Sequence, residues 1–207
     1  PPPPPPRFFS PHNTENPILS GLVGSEMCIR DSFITDVFTP DECDQISAYS
    51  DMLETEKGAT TGKKQQELRS NTIAWMPINA ESQWIYQRLV QTIELTNPNT
   101  FQFDGLIIGE PVQISTYTEN DFYDWHIDTV EFPKSPPVRK VSCSVLLNDA
   151  AEFTGGGMQI RAWNEETINL TQGQGLFFAS YFQHRVLPIT EGMRKSMVIW
   201  YNGPAFK

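Results

Sequence analysis

Between Phe101 and Asn202 the chain is cut into short apolar runs by turn-forming residues, and this punctuation constrains its fold more than any other feature. The runs are Phe101–Ile108, Val112–Thr118, Lys140–Leu147, Met158–Trp163, Gly175–Ala179, Arg185–Leu187 and Ser196–Asn202. Between them stand Pro133, Pro136 and Pro137, then Gly155–Gly157, then Gly173 and Gly175, then Gly192. Proline removes a backbone donor and glycine favours turns, so long uninterrupted elements are excluded here. Many short strands at close spacing predict an antiparallel sandwich or barrel, the jelly roll among them.

The preceding part reads differently. Phe33–Phe38 has the pattern of a strand, and Thr39, Pro40 and Glu42 then mark a helix start. Thr39 caps, Pro40 suits the first helical position, and Glu42 completes a capping box. This helix is expected to run to about Leu53. A polar loop over 56–71 leads to a strand at Thr72–Met76 and a second helix at about Ala80–Thr96. In that helix Ile85, Leu89 and Ile93 form an apolar stripe that must pack on something. The expected class is mainly β with flanking helices (α+β), with the two N-terminal helices packed on one sheet.

Residues 1–32 stand apart. They open on Pro1–Pro6, show no sustained period, and contain GLVGSEMCIRDS, which resembles a translated sequencing adapter. A disordered Pro-rich leader foreign to the domain is expected there, with the functional domain at 33–207. The leader lacks the basic start, apolar run and cleavage site of a secretory signal. The net charge of −10 argues against a nucleic-acid partner, which would need a basic surface. No apolar stretch approaches the roughly 20 residues that cross a bilayer, so no membrane association is expected. Cys43 and Cys143 are far apart and no CxxC occurs, which indicates neither a disulfide framework nor a structural zinc site. A cytoplasmic location is the default expectation.

Outside the leader only two histidines remain, and their places are informative. His126 and Asp128 lie in DWHIDTV; in an extended strand, positions two apart share a face and can converge on one point. His184 begins a short strand in QHRVLPI that could return alongside. Two imidazoles and one carboxylate make the facial triad of a non-haem Fe(II) site, although zinc accepts the same ligands. An isolated HxD is weak evidence by itself. Ten residues after His184, however, Arg194 opens the apolar strand of GMRKSMVIWY. A buried guanidinium needs an anion, and its planar fork suits a carboxylate. Ser196, on the same face, has access to that anion.

Together HxD, a distant His, and Arg-x-Ser ten residues later resemble the 2-oxoglutarate- and Fe(II)-dependent oxygenases, and in particular the prolyl-4-hydroxylase-like branch with its PKHD-type hydroxylases. HRVLPITEGMRKSMVIW follows that branch's pattern, and QISTYTENDFYDWHID resembles its segment with two tyrosines, here Tyr117 and Tyr123. RKVSCSVLLND and FTGGGMQI resemble the strands that follow the first ligand pair. The resemblance covers about Phe33 to Tyr201. It implies a double-stranded β-helix (jelly roll), with Fe(II) on His126, Asp128 and His184. It also implies 2-oxoglutarate on Arg194 and Ser196, and Tyr117 hydrogen-bonding the cosubstrate. Two departures stand out: GGGMQ where many members have an acidic residue after paired glycines, and Leu146 where some prolyl hydroxylases have a tyrosine.

The implied activity is hydroxylation of an unactivated C–H bond, with release of succinate and carbon dioxide and with ascorbate in support. The expected substrate is a peptidyl side chain such as proline. A free amino acid or small metabolite is the alternative, and a non-catalytic metal- or sugar-binding jelly roll is a further one. Lids are expected in the loops Thr129–Pro137 and Lys57–Asn71, the latter ending near Arg69. Trp125, Trp163 and Trp200 are expected in the core, and Asp124 as a solvated loop acid. Oligomeric state is left open by the sequence.

Overall fold

The computed structural model describes residues 32–58, 68–129, 137–161 and 166–205. Residues 1–31 of the expected leader, Trp163 and most of both expected lid loops lie outside the described residues.

The elements run β1 (Ser32–Asp36), α1 (Pro40–Ser50), β2 (Thr55–Lys57), β3 (Thr72–Met76), α2 (Gln83–Thr96), β4 (Ile107–Ile108), β5 (Val112–Tyr117), β6 (Tyr123–His126) and β7 (Val138–Leu146). They continue with β8 (Phe153–Gly155), β9 (Met158–Arg161), β10 (Thr167–Ile168), β11 (Gln174–Ala179), β12 (Gln183–Val186), β13 (Ile189–Gly192) and β14 (Arg194–Gly203). The major sheet has the order β1-β11-β7-β14-β5-β3-β2, with β4 on the end of β14. A smaller sheet, β10-β9-β12-β6, and the hairpin-like pair β13-β8 complete the β-structure. Every pairing is antiparallel.

Strand alternation divides the core in two. On one face of the major sheet, Val141, Cys143, Val145, Phe177, Met197, Ile199 and Tyr201 pack with Ile46 of α1 and Ile85, Leu89 and Ile93 of α2. On the other, Leu146, Leu176 and Phe178 pack with Met158, Ile160 and Val186 of the smaller sheet. Thus Phe177 faces the helices while its neighbours Leu176 and Phe178 face the smaller sheet, as a period of two requires. Polar anchors fix the helices. Thr39 and Glu42 exchange hydrogen bonds at the start of α1, and Arg88 of α2 clamps the Glu42 carboxylate. The Tyr201 hydroxyl donates to the Leu89 carbonyl at 3.0 Å, tying α2 to β14.

The strand expected at Phe101–Ile108 is reduced to Ile107–Ile108. Gln102 and Gly105 take φ of 56° and 61°, which no strand accommodates. The Asn97 side chain instead grips Phe103, accepting from its N–H and donating to its carbonyl. Phe101 and Phe103 stack with centroids 6.2 Å apart beside this grip. Strands β2, β8, β10 and β13 were not legible, being short edge pieces with little apolar alternation. The triple glycine has a packing reason: Gly155 and Gly156 adopt φ of 80° and 66°, and a side chain on Gly155 would strike the Pro188 carbonyl. No helix among the described residues is long and apolar enough to cross a membrane.

Candidate active site

His126 and His184 are cross-strand partners in the β6–β12 ladder, and their ring centroids lie 4.1 Å apart. Asp128 joins them from beyond the strand, because β6 ends at His126. The backbone N–H groups of Asp128 and Thr129 both donate to the Ser180 carbonyl, at 3.0 and 3.1 Å. That turn, rather than strand alternation, brings the carboxylate round. Asp128 Oδ1 is 3.8 Å from His126 Nε2, and Oδ2 is 3.4 Å from His184 Nε2. The three ligand atoms all lie within 4.8 Å of one another.

The surroundings aim these donors. His126 Nδ1 donates to the Asp124 carbonyl at 2.7 Å, and His184 Nδ1 donates to the Phe182 carbonyl at 3.0 Å. A carbonyl only accepts, so each Nδ1 carries the proton and each Nε2 presents a lone pair to the shared point. Asp124 therefore supports the site through its backbone, while its carboxylate stays largely exposed. The Ser142 hydroxyl donates to Asp128 Oδ2 at 2.7 Å and meets the Ser180 hydroxyl at 2.9 Å. Tyr123 stacks on His126 with centroids 3.5 Å apart. Burial and then the neighbouring His184 push the His126 imidazole down to about 3, so it is neutral near pH 7. Burial tends to raise the Asp128 carboxyl, but the two imidazoles and the Ser142 hydroxyl outweigh it and hold it below the usual carboxylate value. Two imidazoles and an ionised carboxylate form a donor set that fits Fe(II).

The donors open on a cavity of about 690 Å³ whose floor is the inner face of β5, β7 and β14. Arg194 lies there, 3 % exposed, with Nη1 donating to the Ser196 hydroxyl at 2.9 Å. Among the described residues no carboxylate pairs with it. Burial lowers its pKa, the response of a cation lacking a counter-ion. Tyr117 is its cross-strand partner, with the guanidinium 5.6 Å from the ring centroid. Burial raises the Tyr117 hydroxyl above its ordinary value, so it stays a neutral phenol able to donate. Arg194, Ser196 and Tyr117 thus form one polar group that fits a carboxylate. Trp200 is buried but lines the cavity, and Trp125 is half-buried between the Arg161 and Arg185 guanidiniums, so neither is a simple core residue.

Comparison with known proteins agrees with this geometry. Residues 112–202 match the sequence profile of the 2OG-Fe(II) oxygenase superfamily, a span holding the histidines, Asp128, Tyr117, Arg194 and Ser196. That match covers a little under half of the chain. A PKHD-type hydroxylase of Xylella fastidiosa is 33 % identical over 99 residues, which is 44 % of this chain and 43 % of that protein. The chain spans less than half the length of the curated relatives it matches. Its fold resembles a viral collagen prolyl hydroxylase from Paramecium bursaria Chlorella virus-1 in complex with 2OG. That likeness has a TM-score of 0.67 and 18 % identity, over 83 % of this chain and 96 % of that one. A Pseudomonas putida prolyl-4-hydroxylase gives a TM-score of 0.65 and 17 % identity, over 84 % and 94 %.

Several residues of this candidate site carried little signal in the sequence. Ser142 and Ser144 alternate with Val141, Cys143 and Val145, a period-two pattern that marks a polar inner face on β7. Ser180 had no such signal, since its role depends on a turn. Arg139 and Glu110 pair at the cavity wall, with the guanidinium 3.8 Å over the Trp200 ring. Arg69 is buried in the same cavity, brought there by long-range contacts.

Proposed function

We propose that residues 33–207, a double-stranded β-helix backed by two N-terminal helices, form a 2-oxoglutarate- and Fe(II)-dependent hydroxylase. The observation that carries this reading is one cavity holding both a three-donor cluster and a buried guanidinium without a carboxylate partner. His126, Asp128 and His184 would hold Fe(II), with Ser142 and the two carbonyl-bonded Nδ1 atoms keeping the donors aimed. Arg194 and Ser196 would hold the distal carboxylate of 2-oxoglutarate, and Tyr117 would donate to it nearer the metal. When bound, the iron and cosubstrate would together supply the oxidising chemistry with dioxygen as oxidant: one oxygen atom goes into succinate as 2-oxoglutarate loses carbon dioxide, and the other turns a substrate C–H into C–OH. The protein's own work is to orient the acid, shield the reacting centre from bulk water and present the C–H bond.

The proposed substrate is a peptidyl side chain such as proline. Support comes from the prolyl hydroxylases among its structural likenesses and from the aromatic rim of Trp75 and Trp200, whose centroids are 6.3 Å apart. The test is succinate release with Fe(II), 2-oxoglutarate and ascorbate, joined to mass spectrometry of peptides and small metabolites for a gain of one oxygen. Iron-dependent succinate in the wild type and none in His184→Ala is the expected result. Absence of iron-dependent succinate from the wild type, with or without added substrates, overturns the reading.

A further inference from the structure

The roles proposed above leave one buried cation of the cavity unused. Arg69 is 7 % exposed and lines the same space as the metal donors. Its Nε donates to Asn71 Oδ1, and its Nη2 donates to Gln113 Oε1 at 2.8 Å. Both partners are neutral amides, and among the described residues no carboxylate pairs with it. Nη1 has no hydrogen-bond partner there and is left to the cavity.

Its placement relates it to the reacting centre. The guanidinium carbon sits 4.6 Å from the Tyr123 ring centroid, and Tyr123 stacks on His126 at 3.5 Å. Those two steps laid end to end put Arg69 within about 8 Å of the His126 ring. It is anchored at a different point from Arg194. Gln113, which it grips, lies four residues along β5 from Tyr117, the partner of Arg194. At about 3.3 Å per residue that is roughly 13 Å between the backbone positions. Arg69 and Arg194 therefore enter the cavity from different anchor points, and the Tyr117 hydroxyl feels both charges.

The charges of the cavity show what Arg69 lacks. Arg139 is neutralised by Glu110 in a two-pronged pair. On the reading above, Asp128 serves the metal and Arg194 receives the cosubstrate's carboxylate. Glu56 at the rim is engaged by the Trp75 indole, which donates to it at 2.9 Å. Arg69 alone remains a buried charge with no anion assigned to it. A cation so placed is costly in the empty site and becomes favourable when an anion enters.

We propose that Arg69 anchors a carboxylate of the substrate, so that the oxygenase selects an acid, with the C–H bond to be oxidised held near the metal by this second contact. The proposal rests on the hydroxylase reading. The carboxylate comes from one of two sources, the α-carboxylate of a free amino acid or an Asp or Glu beside the target residue in a peptide.

The test compares acids with their uncharged counterparts. Free amino acids are set against their carboxamides, and Asp- or Glu-containing proline peptides against the Asn or Gln versions. The readout is stimulation of succinate release above the substrate-free rate, with mass spectrometry for the added oxygen. In the wild type at least one acid is expected to stimulate at least about tenfold more than its amide, the scale of a charge-assisted hydrogen bond. The arm that responds identifies the source of the carboxylate. In Arg69→Gln that ratio falls to about one, and in Arg69→Lys it is partly retained. Being internal to each variant, the ratio is unaffected by the fraction of protein correctly folded. If no acid exceeds its amide in the wild type, or if Arg69→Gln keeps the full ratio, the assignment is wrong. Failure of the hydroxylase reading is distinguishable, because the wild type then releases no iron-dependent succinate with any compound or none.

Discussion

The two faces of strand β14 are built from the same ten residues and do opposite work. Met197, Ile199 and Tyr201 face the helices in a close-packed apolar layer. Arg194, Ser196, Val198, Trp200 and Asn202 alternate with them and line the cavity. On the helix side a buried hydroxyl such as Tyr201 Oη finds its partner within the protein. On the cavity side, among the described residues, Arg194 has no carboxylate and Asn202 Oδ1 has no hydrogen-bond partner. Buried polar groups are nearly always satisfied, so orphans gathered on one face mark where the protein expects another molecule.

The division can be broken or sharpened by substitution. The largest effect is expected from His184→Ala, which removes a donor while leaving the helix-side layer intact. Succinate release should fall by more than about 100-fold, the upper end of what loss of an outer partner costs, while circular dichroism stays native. On the opposite face Met197→Ala should lose about 2–5 kcal/mol of stability through cavity formation. Denaturant titration measures that loss, and the surviving folded protein should keep its affinity for 2-oxoglutarate.

Smaller effects test the cavity face more finely. Arg194→Gln should raise the KM for 2-oxoglutarate about 10- to 100-fold, the worth of one charge-assisted contact; an unchanged KM would remove Arg194 from the cosubstrate site. Ser142→Ala should weaken Fe(II) or Mn(II) binding about tenfold, read by metal titration. The mildest effect is acid sensitivity of the metal-free protein. His126 is held at about 3, below the roughly 6.5 of an unfolded imidazole, so the unfolded chain binds more protons between those values. Stability therefore falls as pH drops below about 6.5. The depressed Asp128 carboxyl adds a further loss in stronger acid. Thermal melts across that window should show a flatter acid limb in His126→Gln.

What the sequence made legible follows the range of the forces involved. The helix start at Thr39, Pro40 and Glu42 was readable because a capping box is a local device. Strand β3 was readable because its apolar residues and the turn residues Asn71 and Pro77 that bound it lie within a few positions of each other. The histidines and Arg194 stood out because so few residues of their kind occupy strand-like runs. Asp128 was identified for a reason that differs from the actual one, since its approach depends on the Ser180 carbonyl some fifty residues away. Phe101–Ile108 misled because aromatic content favours strands, while Asn97 and two positive φ angles impose a loop. Arg69 could not be ranked from sequence, because its burial exists only once Gln113 and Tyr123 arrive from distant strands.

The metal donors and Arg194 belong to different sheets, and this has a mechanical consequence. His126 and His184 ride on short strands of the smaller sheet, whereas Arg194 is fixed in the middle of the larger one. Phe178 touches the His184 ring edge-on at 4.5 Å, and with Leu146, Met158 and Val186 it fills the space between the sheets. On the proposed hydroxylase reading, that apolar filling would act as a spacer block, setting the span between the three donors and the guanidinium that a dicarboxylic acid would bridge. Trimming or thickening the block would then retune which chain length of acid the cavity accepts, without any change to Arg194, Ser196 or the three donors.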